Sequence, residues 1–172
     1  MVSMRSIIPA VLSLAISAGA ALANDQNVSQ FQLEDYFTGH TRATGSFRAI
    51  NGVHRTFKVD LHGSWNGRTL KLVEDFRYGD GERDRKTWRF TKTGANTYTG
   101  TREDVIGDTK VQIHGNVAKF SYNVLLDGKG GSNKVRFHDT MRLKPDGTVL
   151  NTAWVTKYGL PVARTRVEFA KH

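Results

Sequence analysis

From Thr41 onward the chain alternates short runs with turn signals: Asn51-Gly52, Asn66-Gly67, Gly79-Asp80-Gly81, Thr93-Gly94-Ala95-Asn96, Gly107-Asp108, Gly115-Asn116, Asp127 to Asn133, Pro145-Asp146-Gly147 and Gly159-Leu160-Pro161. No other feature constrains the fold as strongly, because each break demands a backbone conformation that ends a helix or strand. The breaks leave ten runs, at 41–50, 53–62, 69–78, 82–91, 97–105, 109–114, 117–126, 134–143, 148–158 and 162–170. Connections of hairpin length make sequential neighbours antiparallel. In an open sheet such strands leave two bare edges, and closure removes both. The expected fold is all-β, an antiparallel up-and-down barrel of about ten strands. A short helix or plug is expected at Phe31 to Phe37, and a flattened sandwich is the alternative architecture.

The residues before this pattern read as a leader. Met1 to Arg5 carries one positive charge, Ile7 to Leu22 is apolar and small, and Ala21-Leu22-Ala23 has the small-x-small form of a cleavage site. The expectation is a signal peptide at 1–23 and a single barrel domain at 24–172, exported to the periplasm. There is no cysteine in the sequence, which excludes both a disulfide framework and a lipid anchor on Cys.

The formal charge of the whole chain is +9, and removing Arg5 with the leader leaves +8, from 24 basic and 16 acidic residues. Such an excess favours peripheral contact with an anionic membrane or acidic ligands. Nucleic acid is not an expected partner, since the charges are dispersed. A membrane-spanning barrel needs an apolar outer band. Here the faces opposite the apolar stripes carry Lys58, Asp60, Lys71, Arg83, Arg85, Arg89, Arg136 and Arg142, so the outside belongs in water.

Residues 70–90, LKLVEDFRYGDGERDRKTWRF, place Leu70, Leu72, Phe76 and Tyr78 on one face with Glu74 in their midst. A three-residue loop at Gly79-Asp80-Gly81, with Gly in the left-handed position, registers Leu70 on Phe90, Leu72 on Trp88, Phe76 on Asp84 and Glu74 on Lys86. The inward Glu74 thus acquires an inward Lys86 as a cross-strand partner. The same parity turns Arg55 inward with Val53, Phe57, Val59 and Leu61. It also turns in Tyr98 and Gly100, followed by Arg102 and Asp104. Asp139 falls among Val135, Phe137, Met141 and Leu143, and Asn151 and Lys157 are turned inward less clearly.

Two readings of this inward charge stand side by side. The groups pair off near the barrel ends, or they form a polar floor in a cavity whose apolar wall includes Phe47, Phe57, Phe76, Trp88, Phe120 and Tyr122. The candidate ligand-binding residues are Arg55, Glu74, Lys86, Arg102, Asp104, Asp139, Phe57, Phe76, Trp88, Tyr98 and Tyr122.

These residues resemble a bacterial family of exported proteins known as domain-of-unknown-function family 3833. The matching stretches are Phe31 to Gly39, Ala43-Gly45-Phe47, Arg55-Phe57-Val59, Gly63-Trp65-Gly67 and Glu74-Phe76-Tyr78-Asp80-Gly81-Glu82. Tyr98, Gly100, Thr101, Asp104, Val105 and Gly107 match a later motif, and Asp139, Met141 and Asn151 to Gly159 also fit. The resemblance implies a lipocalin-like or calycin-like barrel and no established activity. Its genetic association with fatty-acid-modifying enzymes favours a fatty acid or phospholipid ligand. Departures are the missing lipoprotein Cys, Lys86 in place of an Arg, and Arg102 in place of a small residue.

No nucleophile elbow, P-loop or zinc motif is present, and His54 and His62 face outward. No cofactor or metal is expected. The leading expectation is a periplasmic protein binding or carrying a small hydrophobic ligand or lipid with a polar head, in modified-lipid metabolism or envelope stress. The second is isomerase-like or hydration chemistry on a modified fatty acid, with Glu74 or Asp104 as base. The third is a structural envelope protein with a packed interior.

Overall fold

The computed structural model describes residues 30–126 and 133–172, so the expected leader lies outside the described residues. A short helix, α1 (Leu33–Phe37), precedes eleven strands: β1 (Gly39–Ala49), β2 (His54–Trp65), β3 (Thr69–Tyr78), β4 (Arg83–Gly94), β5 (Thr97–Thr101), β6 (Val105–Ile106), β7 (Thr109–His114), β8 (Val117–Leu125), β9 (Lys134–Leu143), β10 (Val149–Lys157) and β11 (Leu160–Lys171). Ten of them form a ring in the order β8-β7-β5-β4-β3-β2-β1-β11-β10-β9, and β9 pairs back onto β8. The closed antiparallel barrel therefore replaces the sandwich alternative, because the first strand, β1, pairs along its length with the last, β11, and every sequential neighbour in the ring is also paired. β6 is a two-residue addition on β8, with Val105 opposite Val124.

The expected run at 97–105 is broken, and this is one of three local differences. The Val105 amide donates to the Arg102 carbonyl at 3.1 Å, and the turn so made separates β5 from β6. Val53, expected inside, is exposed because it lies in the β1–β2 turn, where its carbonyl accepts the Ala49 amide at 2.9 Å. Lys157, expected to face in, instead reaches Asn133 at the rim at 3.2 Å. The cause is a register shift between Val155 and Thr156, which interrupts strict alternation near the end of β10.

Alternation elsewhere sorts the chain cleanly. Val59, Leu61, Leu70, Leu72, Trp88 and Phe90 are buried, while Lys58, Lys71, Arg85, Arg89, Arg136 and Arg142 are exposed on the outer face. One end of the barrel is filled by α1 and the residue before its N-cap: Phe31, Leu33, Tyr36 and Phe37 are buried there. The Phe31 amide donates to the Gly115 carbonyl at 2.9 Å, and the Tyr36 hydroxyl donates to the Phe169 carbonyl at 3.0 Å. Gly63 permits this seat, since a Cβ there would stand 1.8 Å from the Phe37 carbonyl oxygen. The other end carries the β1–β2, β3–β4 and β10–β11 connections, and the cavity residues Arg55, Tyr78 and Asp84 lie toward it.

Candidate functional site

Above the plug the barrel holds a cavity of about 600 Å³, within the range of small-molecule sites. Phe47, Phe57, Phe76, Phe120, Phe137 and Met141 supply its apolar wall. Phe57 and Phe76 pack at 5.7 Å between ring centroids, and Tyr122 stacks on Phe137 at 5.3 Å. Gly45 keeps room for this wall: a Cβ there would meet the Phe57 ring at 2.5 Å.

All but one of the eleven candidate residues line this cavity: Arg55, Phe57, Glu74, Phe76, Lys86, Trp88, Arg102, Asp104, Tyr122 and Asp139. Tyr98 does not. It faces inward at the plugged end, where its hydroxyl donates to Glu34 Oε2 at 2.5 Å and Gln32 Oε1 at 2.7 Å. Lys92 joins the same cluster, ion-paired to Glu34. Parity assigns a face, but height along the barrel decides whether an inward group meets cavity or plug.

The hairpin register is as the turn demands: Leu70 faces Phe90, Leu72 faces Trp88, Phe76 faces Asp84 and Glu74 faces Lys86. Yet the expected Glu74–Lys86 ion pair does not form. Lys86 Nζ lies 3.0 Å from Asp84 and 3.4 Å from Asp104 instead. Arg102, reaching in from the turn after β5, bonds Asp104 Oδ1 through Nε at 2.6 Å and Oδ2 through Nη2 at 3.2 Å. Its guanidinium carbon sits 4.8 Å from the Trp88 ring centroid and 5.4 Å from that of Tyr122, a cation held between aromatic faces.

Burial pushes the Glu74 carboxyl up to about 7, with Arg102 opposing the rise and Asp104, Glu103 and Asp139 adding to it. Among the described residues no hydrogen bond reaches Glu74. Burial also lifts Asp139 to about 6, against the opposing hydrogen bond from Asn151, the charge of Arg102 and the nearby Tyr122 hydroxyl. The Asn151 amide donates to Asp139 Oδ1 at 2.5 Å, while Asp139 Oδ2 and Asn151 Oδ1 are buried without a protein partner. Asp104 behaves oppositely: desolvation would raise it, but Arg102 and Lys86 together hold it below the ordinary carboxylate range. The interior thus separates an ionised cluster, Lys86–Asp104–Arg102, from two carboxyls that titrate near neutrality.

At the mouth, Arg55 bonds Asp80 at 2.8 Å and Glu82 at 2.6 Å and lies 4.0 Å over the Tyr78 ring. Asp84, Tyr78 and Asn151 were not among the candidates but also line the cavity. For Asp84 the signal was available, since the hairpin register already places it opposite the inward Phe76. Among the described residues no group of three metal-ligating side chains comes together.

A family model described as "Protein of unknown function (DUF3833)" matches residues 11–171. No curated protein matches the sequence. Among solved structures, the S-type phycobiliprotein lyase CPES from Guillardia theta is similar at a TM-score of 0.60 and 9% identity, covering 87% of this chain and 97% of that one. Rv2717c from M. tuberculosis is similar at 0.60 and 13% identity, covering 81% of this chain and 96% of that one. At such identities the likeness is one of fold.

Proposed function

This chain belongs to the DUF3833 family, and on that premise we propose that its barrel binds a small, largely apolar ligand with one polar end. The observation that carries the reading is the aromatic-walled cavity of about 600 Å³ with Glu74, Arg102, Asp104 and Asp139 gathered on its wall. A barrel filled only for stability gains nothing from a void, which forfeits packing contacts. Nor does it gain from buried oxygens such as Asp139 Oδ2 and Asn151 Oδ1, which cost free energy when left without hydrogen bonds. Both are the provisions of a site that a ligand completes.

The ligand class we favour is an acyl amphiphile, a fatty acid or phospholipid chain. The chain lies against Phe57, Phe76, Phe120, Phe137 and Met141, and the polar end meets Arg102 with an acceptor or the free oxygens Asp139 Oδ2 and Asn151 Oδ1 with a donor. With the leader at 1–23 removed the protein works in the periplasm, carrying or holding such a lipid next to the membrane. Native mass spectrometry of the exported protein tests this directly. A co-purifying lipid released on denaturation supports the reading, and a ligand-free protein that also fails to take up a fluorescent fatty acid overturns it.

A second reading is favoured by one specific observation, the rise of Glu74 to about 7. A carboxyl poised there suits general acid–base work on a bound lipid. Asp104 does not share this role, because two cations hold it ionised and weakly basic. Glu74→Gln separates the readings: ligand binding persists in both, and a change in cellular lipid composition is lost only if Glu74 does chemistry.

A further inference from the structure

Among the described residues, the most exposed apolar side chains gather toward one end of the barrel. Ile50, Tyr158 and Leu160 are 79%, 89% and 68% exposed; the first two lie in the β1–β2 and β10–β11 turns and Leu160 opens β11. These turns are neighbours, tied by the Ile50 amide donating to the Val162 carbonyl at 2.9 Å. Leu126, exposed at the end of β8, follows on the same rim and lines the cavity mouth. Just below, one row crosses the outer face: Arg48 stands opposite Arg164, Arg164 opposite Trp154, and Trp154 opposite His138. Trp154 is 60% exposed.

Among the described residues, charge on this arc has one sign. The segments 44–54, 134–140 and 153–166 contain Arg48, Lys134, Arg136, Lys157, Arg164 and Arg166, and the one acid among them, Asp139, points into the barrel. Among the described residues Arg48, Lys134, Arg136 and Arg164 meet no carboxylate within ion-pair distance. Arg48 faces Arg164 directly across the ladder, so two cations stand together within this arc. On the far side of the mouth the picture changes, and Arg55 is paired to Asp80 and Glu82.

We propose that this arc, with Ile50, Tyr158, Leu160 and Trp154 as apolar anchors and Arg48, Lys134, Arg136 and Arg164 around them, docks the barrel mouth on an anionic lipid bilayer. Exposed aromatics and aliphatics beside unpaired cations fit the interface of a membrane whose surface is negative. A second copy of the chain fits poorly, since apposed cationic arcs repel. The inference deepens the lipid reading, because it sets the cavity entrance against the source of an acyl ligand. It does not require the ligand to be known.

The test is co-sedimentation of the purified protein with vesicles of phosphatidylcholine alone and of phosphatidylcholine with phosphatidylglycerol. The expected result is binding to the anionic vesicles, weakened by salt, and little to the neutral ones. The double variant Arg48→Glu with Arg164→Glu should lose at least tenfold in vesicle affinity. A control with the same charge change elsewhere, Lys58→Glu with Lys71→Glu, should lose far less. Tyr158→Ser with Leu160→Ser should weaken binding with net charge untouched. Equal binding to neutral vesicles, equal loss in both charge variants, or self-association through the arc in place of vesicle binding would each overturn the proposal. Uptake of a fluorescent fatty acid in vesicle-free solution is measured on the same variants. Uptake without docking defeats this inference alone, and docking without uptake defeats the cavity reading alone.

Discussion

Glu74 and Lys86 face each other directly across the β3–β4 ladder, yet the Lys86 ammonium turns to Asp84 and Asp104 and leaves Glu74 under the influence of Arg102. Backbone register brings two residues opposite. It does not decide which charges pair, because a Lys stem reaches several carboxylates and settles where desolvation is least. Glu74 remains a buried acid without a hydrogen bond among the described residues, and that is what shifts it.

Stability should record this shift. The folded Glu74 carboxyl, pushed up to about 7 from the ordinary carboxylate range, binds its proton more tightly than in the unfolded chain. Its contribution is complete below the unfolded value and is lost as pH rises through the folded one. Between those limits the loss is on the order of 3 kcal/mol. Urea denaturation at several pH values should show wild type losing stability through this window relative to Glu74→Gln. Parallel profiles for the two proteins would mean that Arg102 keeps Glu74 ionised.

Arg102 answers Asp104 and sits between Trp88 and Tyr122 with little exposure to solvent. Removing one partner of such a pair strands the other charge, at a cost of about 3–5 kcal/mol. Arg102→Met should therefore lower the unfolding free energy by that order. Replacing both members, as Arg102→Met with Asp104→Leu, should recover a substantial part of it in the same denaturation assay.

Tyr98 and Met141 separate plug from cavity. Tyr98→Phe removes hydrogen bonds to Glu34 and Gln32 and should cost about 1–2 kcal/mol, with ligand affinity unchanged. Met141→Trp fills space within the cavity wall and should reduce fatty-acid uptake at least tenfold (about 1.4 kcal/mol) with a smaller effect on stability. Reversal of these two outcomes would put the ligand at the α1 end.

Gly63→Ala tests how α1 is held. The added methyl would collide with the Phe37 carbonyl, a backbone atom that cannot rotate away. A loss of about 1–3 kcal/mol is expected, with earlier proteolysis at α1 as the structural readout.

Much of the architecture was legible in the primary structure. Turn residues set strand boundaries within a few positions, period-two alternation set the faces, and the loop at Gly79-Asp80-Gly81 set the β3–β4 register. Gly81, at φ +90, occupies the left-handed position that this register needs. The interior charges were legible for the same reason, since parity is local. The faults were local too: the Val155/Thr156 irregularity moved Lys157 to the rim, and the turn at Arg102 split one expected strand into two.

The sequence by itself determined a chain of antiparallel strands with charged groups aimed inward, because hairpin chemistry and alternation act over a few residues. Tertiary structure alone decided the height of each inward group, the closure of the first strand on the last in the β1–β11 ladder, the filling of one end by α1 and the pairing of Lys86 with Asp84 and Asp104. It also decided that Ile50, Tyr158, Leu160 and Trp154 share one arc of the rim, though more than a hundred residues separate the first from the rest. The physical reason is the same in each case. These relations depend on the shear and closure of the ring, which bring distant segments together and which no local pattern encodes.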